Sequence, residues 1–143
     1  MKIGIIGLGN IGGMLAKRFA ETLKPSDIVV FDNHATKGRN YFMVSSAQEV
    51  IDKSEIVFLC IRPQDLKNFF VGANPKNKII VSTTAAILEK TYYKYLGKFK
   101  LVRIIPSMIN KIGGPILFFG GKYTNSKDIN EVKKILANFG KVY

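Results

Sequence analysis

The stretch that decides the fold is residues 1–13, Met1-Lys2-Ile3-Gly4-Ile5-Ile6-Gly7-Leu8-Gly9-Asn10-Ile11-Gly12-Gly13. Its apolar run, Ile3 to Ile6, leads straight into Gly7-Leu8-Gly9-Asn10-Ile11-Gly12, a G-x-G-x-x-G. Residues 14–20 then space their apolar side chains at 15, 16, 19 and 20, which is the period of a helix face. Strand, glycine turn and helix in that order give each glycine a separate physical task. Gly7 permits the tight turn, Gly9 lets main chain approach a pyrophosphate with no Cβ between them, and Gly12 lets the helix lie close to the strand. Unpaired N–H groups of the first helical turn then face the phosphates.

Asp32 stands at the end of a second apolar run, Ile28-Val29-Val30-Phe31, and lies 32 − 12 = 20 residues beyond Gly12. A dinucleotide-binding unit places there the acid that accepts hydrogen bonds from the adenosine ribose hydroxyls. The plainer alternative is an ordinary βαβ unit in which Asp32 merely opens a turn. Strand, turn, helix and acid agree on the first reading.

Outward from this unit, strand and helix patterns alternate to residue 143. The apolar runs predict strands near 2–6, 28–32, 42–44, 56–61, 78–82, 100–105 and 115–119. Helices are expected near 11–23, 46–52, 64–71, 86–96 and 127–139, with Pro, Gly, Asn and Asp punctuating the turns, as in Gly113-Gly114-Pro115. Runs this uniformly apolar belong to strands buried on both faces. The expectation is therefore an α/β, Rossmann-type, doubly wound fold, with a mainly parallel sheet and helices on both faces. The whole of 1–143 reads as one dinucleotide-binding domain, without repeats or linkers. The last three residues, Lys141-Val142-Tyr143, read as the opening of another strand.

Composition bounds the partners. The chain is 47% hydrophobic and contains no apolar run near the roughly 20 residues that cross a bilayer, so no membrane partner is expected. Met1 runs directly into the first strand, which leaves no room for a signal peptide and predicts a cytoplasmic location. The single cysteine, Cys60, ends an apolar run and reads as a small core residue rather than a nucleophile. A net charge of +12 raises the question of nucleic acid, but the lysines are scattered over turns and helix ends. They read as a solvated basic surface. The sole histidine, His34, reads as an exposed loop residue. No metal cluster, carboxylate dyad or nucleophile–base pair stands at usable spacing, so no catalytic residue is assigned and no metal is expected.

Later segments carry a family resemblance: Phe58-Leu59-Cys60-Ile61-Arg62-Pro63-Gln64, Ile80-Val81-Ser82-Thr83-Thr84-Ala85-Ala86-Ile87, and Leu101-Val102-Arg103-Ile104-Ile105-Pro106-Ser107. With the opening fingerprint they resemble the cofactor domain of pyrroline-5-carboxylate reductase, in the branch that includes late-competence reductase-like proteins. The resemblance implies an NAD(P)-dependent oxidoreductase of proline biosynthesis, which passes hydride to a cyclic imine, 1-pyrroline-5-carboxylate. It further implies that Gly7, Leu8, Gly9, Asn10, Ile11 and Gly12 hold the pyrophosphate, with Asp32 and Asn33 at the ribose. Arg62 and Pro63 correspond to the family's Lys-Pro at the topological switch and Ala85 and Ala86 to an Ala-Gly pair beside the cofactor, with Cys60, Ile61 and Thr84 next to them also at the cofactor. Pro106 and Ser107 correspond to a Pro-Asn beside the nicotinamide amide; Arg103, in the preceding strand, serves either this cleft or, as the plainer alternative, packing or ion pairing.

Asp32 repels a 2′-phosphate and so favours NAD, whereas His34, Lys37 and Arg39 just downstream offer binding groups to the phosphate of NADP. The family's helical C-terminal domain, which completes the substrate pocket and forms the homo-oligomer, is absent from this chain, and the expectation is a fragment inactive alone. Two alternatives remain open: a non-catalytic nucleotide-binding or competence-related module, and another reductase of the same superfamily, acting on β-hydroxy acids or a deazaflavin.

Overall fold

The structure, a computed structural model, describes residues 1–34, 38, 40–84, 86–107 and 114–143. Among the described residues seven strands form one sheet: β1 (Ile3–Ile6), β2 (Ile28–Phe31), β3 (Phe42–Met43), β4 (Ile56–Leu59), β5 (Ile79–Ser82), β6 (Lys100–Pro106) and β7 (Ile116–Gly120). Their order is β3-β2-β1-β4-β5-β6-β7. Every neighbouring pair is parallel except β6 and β7. In register, Ile3 lies between Ile28 and Ile56, and Ile6 between Phe31 and Leu59. The strand order reverses at β1, so a crevice opens between the loops that follow β1 and β4, where doubly wound sheets bind their ligands.

The side chains of each central strand alternate between two cores. On one face Ile3, Ile5, Val30, Phe58, Val81 and Ile104 pack with helices α1 (Asn10–Phe19) and α5 (Ser126–Leu136). On the other, Val29, Val57, Leu59 and Ile80 meet α2 (Ala47–Lys53), α3 (Leu66–Gly72) and α4 (Glu89–Leu96). This sandwich explains the uninterrupted apolar runs, because both faces of the strands are covered. Among the described residues no helix is long and apolar enough to cross a membrane.

The elements agree with those predicted, and the differences lie at their ends. α1 stops at Phe19 rather than near 23, because the next amides tighten to shorter-range bonds, Glu21 N–H to Arg18 O and Thr22 N–H to Phe19 O. α5 closes in the same way, with Phe139 N–H donating to Leu136 O. α3 is preceded by a 3₁₀ turn, Pro63–Asp65, which Pro63 initiates. α4 starts at Glu89 and not at 86, since Ala86 has φ +65°, outside the right-handed helical region. Beside β7, Val142 forms a parallel bridge with Ile116, so residues 141–143 begin to extend the sheet as expected.

Candidate dinucleotide site

The crevice at the switch point is lined by Ile6, Gly7, Gly9, Phe31, Asp32, Asn33, His34, Cys60, Ile61, Arg62 and Asp65, and is an open cleft of about 280 Å³. Three glycines shape its floor. Gly7 has φ +97°, and a Cβ there would lie 2.6 Å from the carbonyl oxygen of Cys60. At Gly12 a Cβ would run into the carbonyl oxygen of Gly7, so the first turn of α1 rests directly on the loop before it. At Gly9 a Cβ would meet nothing within 4 Å. Two of the glycines are thus required by the protein's own packing, and the third keeps open a face that the protein leaves vacant.

That open face adjoins the start of α1. Its N-cap is Gly9, among the described residues no side chain caps the helix, and its first turn contains no acid. α2 and α5, by contrast, are capped by Ser46 and Asn125. Leading N–H groups without a capping side chain are donors for an anion, and the aligned peptide dipoles favour one.

Asp32 is drawn toward the glycine turn. Leu8 N–H donates to its Oδ2 at 2.6 Å and His34 N–H donates to its Oδ1 at 2.8 Å. The carboxylate therefore ties the loop after β1 to the loop after β2, a long-range role that its spacing from Gly12 does not reveal. Asn33 and His34 line the same cleft and are exposed.

Across the cleft, Arg62 Nε donates to Asp65 Oδ2 at 3.0 Å. With the Arg62 side chain 69% exposed, the pair contributes little to stability but sets where the guanidinium stands. Asp65 is a cleft residue that sequence reasoning missed; its i, i+3 offset from Arg62 is the only signal for it. Cys60 differs from expectation. It is half-buried at the cleft wall rather than enclosed in the core, because it follows the last residue of β4. Burial pushes its thiol up to about 12, which keeps it protonated at neutral pH and excludes a nucleophilic role there.

The remaining predicted residues do not line this cleft. Leu8, Asn10, Ile11 and Gly12 form the turn and the first helical residues. Pro63 opens the 3₁₀ turn, and Thr84 Oγ1 donates to Ile61 O at 2.8 Å, joining the loops after β5 and β4. Pro106 and Ser107 line a different, mostly apolar cavity, with Met14, Leu15, Arg18 and Phe139. Arg103 donates to Ile87 O at 3.2 Å and lies over the Phe119 ring, which is the packing role. Ala85, Lys37 and Arg39 lie outside the described residues.

Ala86 occupies the left-handed region at φ +65°, where the resemblance places a glycine. A left-handed non-glycine residue is strained by about 1–2 kcal/mol, partly offset by the lower entropy of an unfolded alanine. Ala86→Gly should therefore raise stability by roughly 0.5 kcal/mol in urea unfolding. A loss of stability instead would show the strain to be relieved already.

Residues 2–86 match the family described as NADP oxidoreductase, coenzyme F420-dependent. The chain is 27% identical over 155 residues to ComE operon protein 4 of Bacillus subtilis, a match that covers 96% of this chain and 56% of that one. It is 27% identical over 151 residues to a pyrroline-5-carboxylate reductase of Aquifex aeolicus, covering 100% of this chain and 57% of the relative. The fold superposes on a Plasmodium falciparum pyrroline carboxylate reductase with NADP bound, at TM-score 0.89 and 21% identity, over 100% of this chain and 56% of that one. The chain thus spans about half the length of the curated relatives it matches.

Proposed function

The chain belongs to the NADP oxidoreductase, coenzyme F420-dependent, family, and from that premise we propose that it is the NAD(P)-binding domain of a pyrroline-5-carboxylate reductase-like oxidoreductase. The observation that carries this reading is the vacant face at Gly9, between two glycines that their own packing requires. It adjoins a helix start without a capping side chain. A diphosphate fits that place in size, charge and hydrogen-bonding sense.

When bound, a reduced nicotinamide would supply hydride, which in the proposed reaction passes to the C=N carbon of a protonated cyclic imine, the hydride and the iminium proton together giving the amine. This chain's own residues bind and orient. Amides at the start of α1 hold the diphosphate, Asp32 holds the ribose diol, and the loops after β4 and β5 flank the nicotinamide half. We take the substrate to be 1-pyrroline-5-carboxylate and the product proline. Further helical structure, of the kind that would roughly double the chain, then completes the substrate pocket, and residues 1–143 alone turn over no imine.

Within this reading NAD is favoured over NADP. A 2′-phosphate would bring its charge against the Asp32 carboxylate, which lines the cleft. Calorimetric titration of the chain with NADH and NADPH tests both statements, and absence of heat with either overturns the reading. Asp32→Ser should then shift the NADH-to-NADPH affinity ratio toward NADPH by roughly tenfold, the scale of one lost charge repulsion. An unmoved ratio would assign Asp32 to loop-tying alone. A second reading, a nucleotide-holding module without catalysis, is favoured by alanine at the left-handed position 86. Imine reduction by a longer form of the protein separates the two.

A further inference from the structure

Tyr92, on α4, is fully buried, and its hydroxyl lies 2.7 Å from Ser82 Oγ at the end of β5. Ser82 is itself 1% exposed, and its Oγ accepts from Thr84 N–H at 3.2 Å. The chain of contacts continues across the sheet: Thr84 Oγ1 donates to Ile61 O at 2.8 Å, and Thr83 N–H donates to Leu59 O at 3.0 Å. A buried phenol is thereby linked through one serine to both loops that flank the second half of the cleft. Such a network holds its members in one arrangement, because every buried polar group in it needs its partner.

We propose that Tyr92 is a positioning residue for the nicotinamide half of the cofactor, acting through Ser82 and Thr84 on the loops after β5 and β4. The proposal rests on the dinucleotide reading above. In a doubly wound sheet the strands beyond the switch point form the second mononucleotide half, so these loops belong to the nicotinamide and not to the adenosine. An aromatic ring of the same shape would fill the place of Tyr92 in the core. What the hydroxyl adds is the tether to Ser82.

The test compares NADH with ADP, which reaches only the glycine turn and the Asp32 side. Tyr92→Phe and Ser82→Ala are titrated with each ligand, well below the melting temperature of each variant. The expected result is a Kd for NADH raised roughly threefold to tenfold, the range set by losing one net hydrogen bond, with the ADP Kd unchanged. The double variant should be no weaker than the worse single one, since both remove the same link. If Tyr92→Phe lowers the melting temperature but leaves the NADH-to-ADP ratio at the wild-type value, the hydroxyl is structural and the proposal fails. Wild-type chain that binds neither ligand overturns the dinucleotide reading and this inference together.

Discussion

Gly9→Val is expected to abolish dinucleotide binding while leaving a folded protein. Inside the protein the added carbons meet nothing, for a Cβ at Gly9 finds no atom within 4 Å. Its φ of −64° is one that valine adopts without strain. The expected change in folding stability is at most about 1 kcal/mol, the difference between glycine and a poor N-cap residue. That corresponds to a melting shift of no more than about 4 °C. The diphosphate loses far more, because a branched side chain occupies its place and screens the helix amides. Calorimetry should show a Kd at least about 100-fold higher, close to 2.7 kcal/mol. Undiminished affinity in a well-folded variant would remove the glycine turn from the site.

Gly12→Val should do the opposite and destabilise the fold whether or not a ligand is present. Its Cβ is directed into the Gly7 carbonyl, and the atoms in the way are main chain, which cannot swing aside. Neither can the loop retreat, since Gly7 N–H is bonded to Phe31 O at 2.8 Å and Leu8 N–H to Asp32. Relief requires α1 to lift off the sheet, pulling Leu15, Ala16 and Phe19 from the core. Overpacking of this severity is expected to reduce stability by about 3 kcal/mol or more and the melting temperature by roughly 10 °C. Chemical denaturation of the two variants side by side checks the contrast. Equal stability at both positions would mean that the loop has room the geometry does not show.

Sheet and helix order were legible because the signals are local. An apolar run such as Ile56 to Leu59 needs no partner to be recognised, and the helical period of residues 14–20 is carried by their own spacing. The glycine turn was legible for the same reason. Contacts between distant residues were not. Asp32 could be placed by counting from Gly12, yet its ties to Leu8 N–H and His34 N–H depend on how two loops meet. Pro106 and Ser107 carried a familiar pattern, but which cavity they border depends on the packing of α1 and α5 against β6. Ala86 gave no local hint of its left-handed backbone beyond standing where a glycine is expected.

The pairing of residues 141–143 with β7 has a practical consequence. Ile116 N–H donates to Lys141 O and Phe118 N–H to Tyr143 O, while Tyr143 N–H returns to Ile116 O. These residues are therefore no loose thread. A fluorophore or affinity handle fused after Tyr143 leaves from a rail pinned to the edge strand, and its rotation reports the tumbling of the whole body.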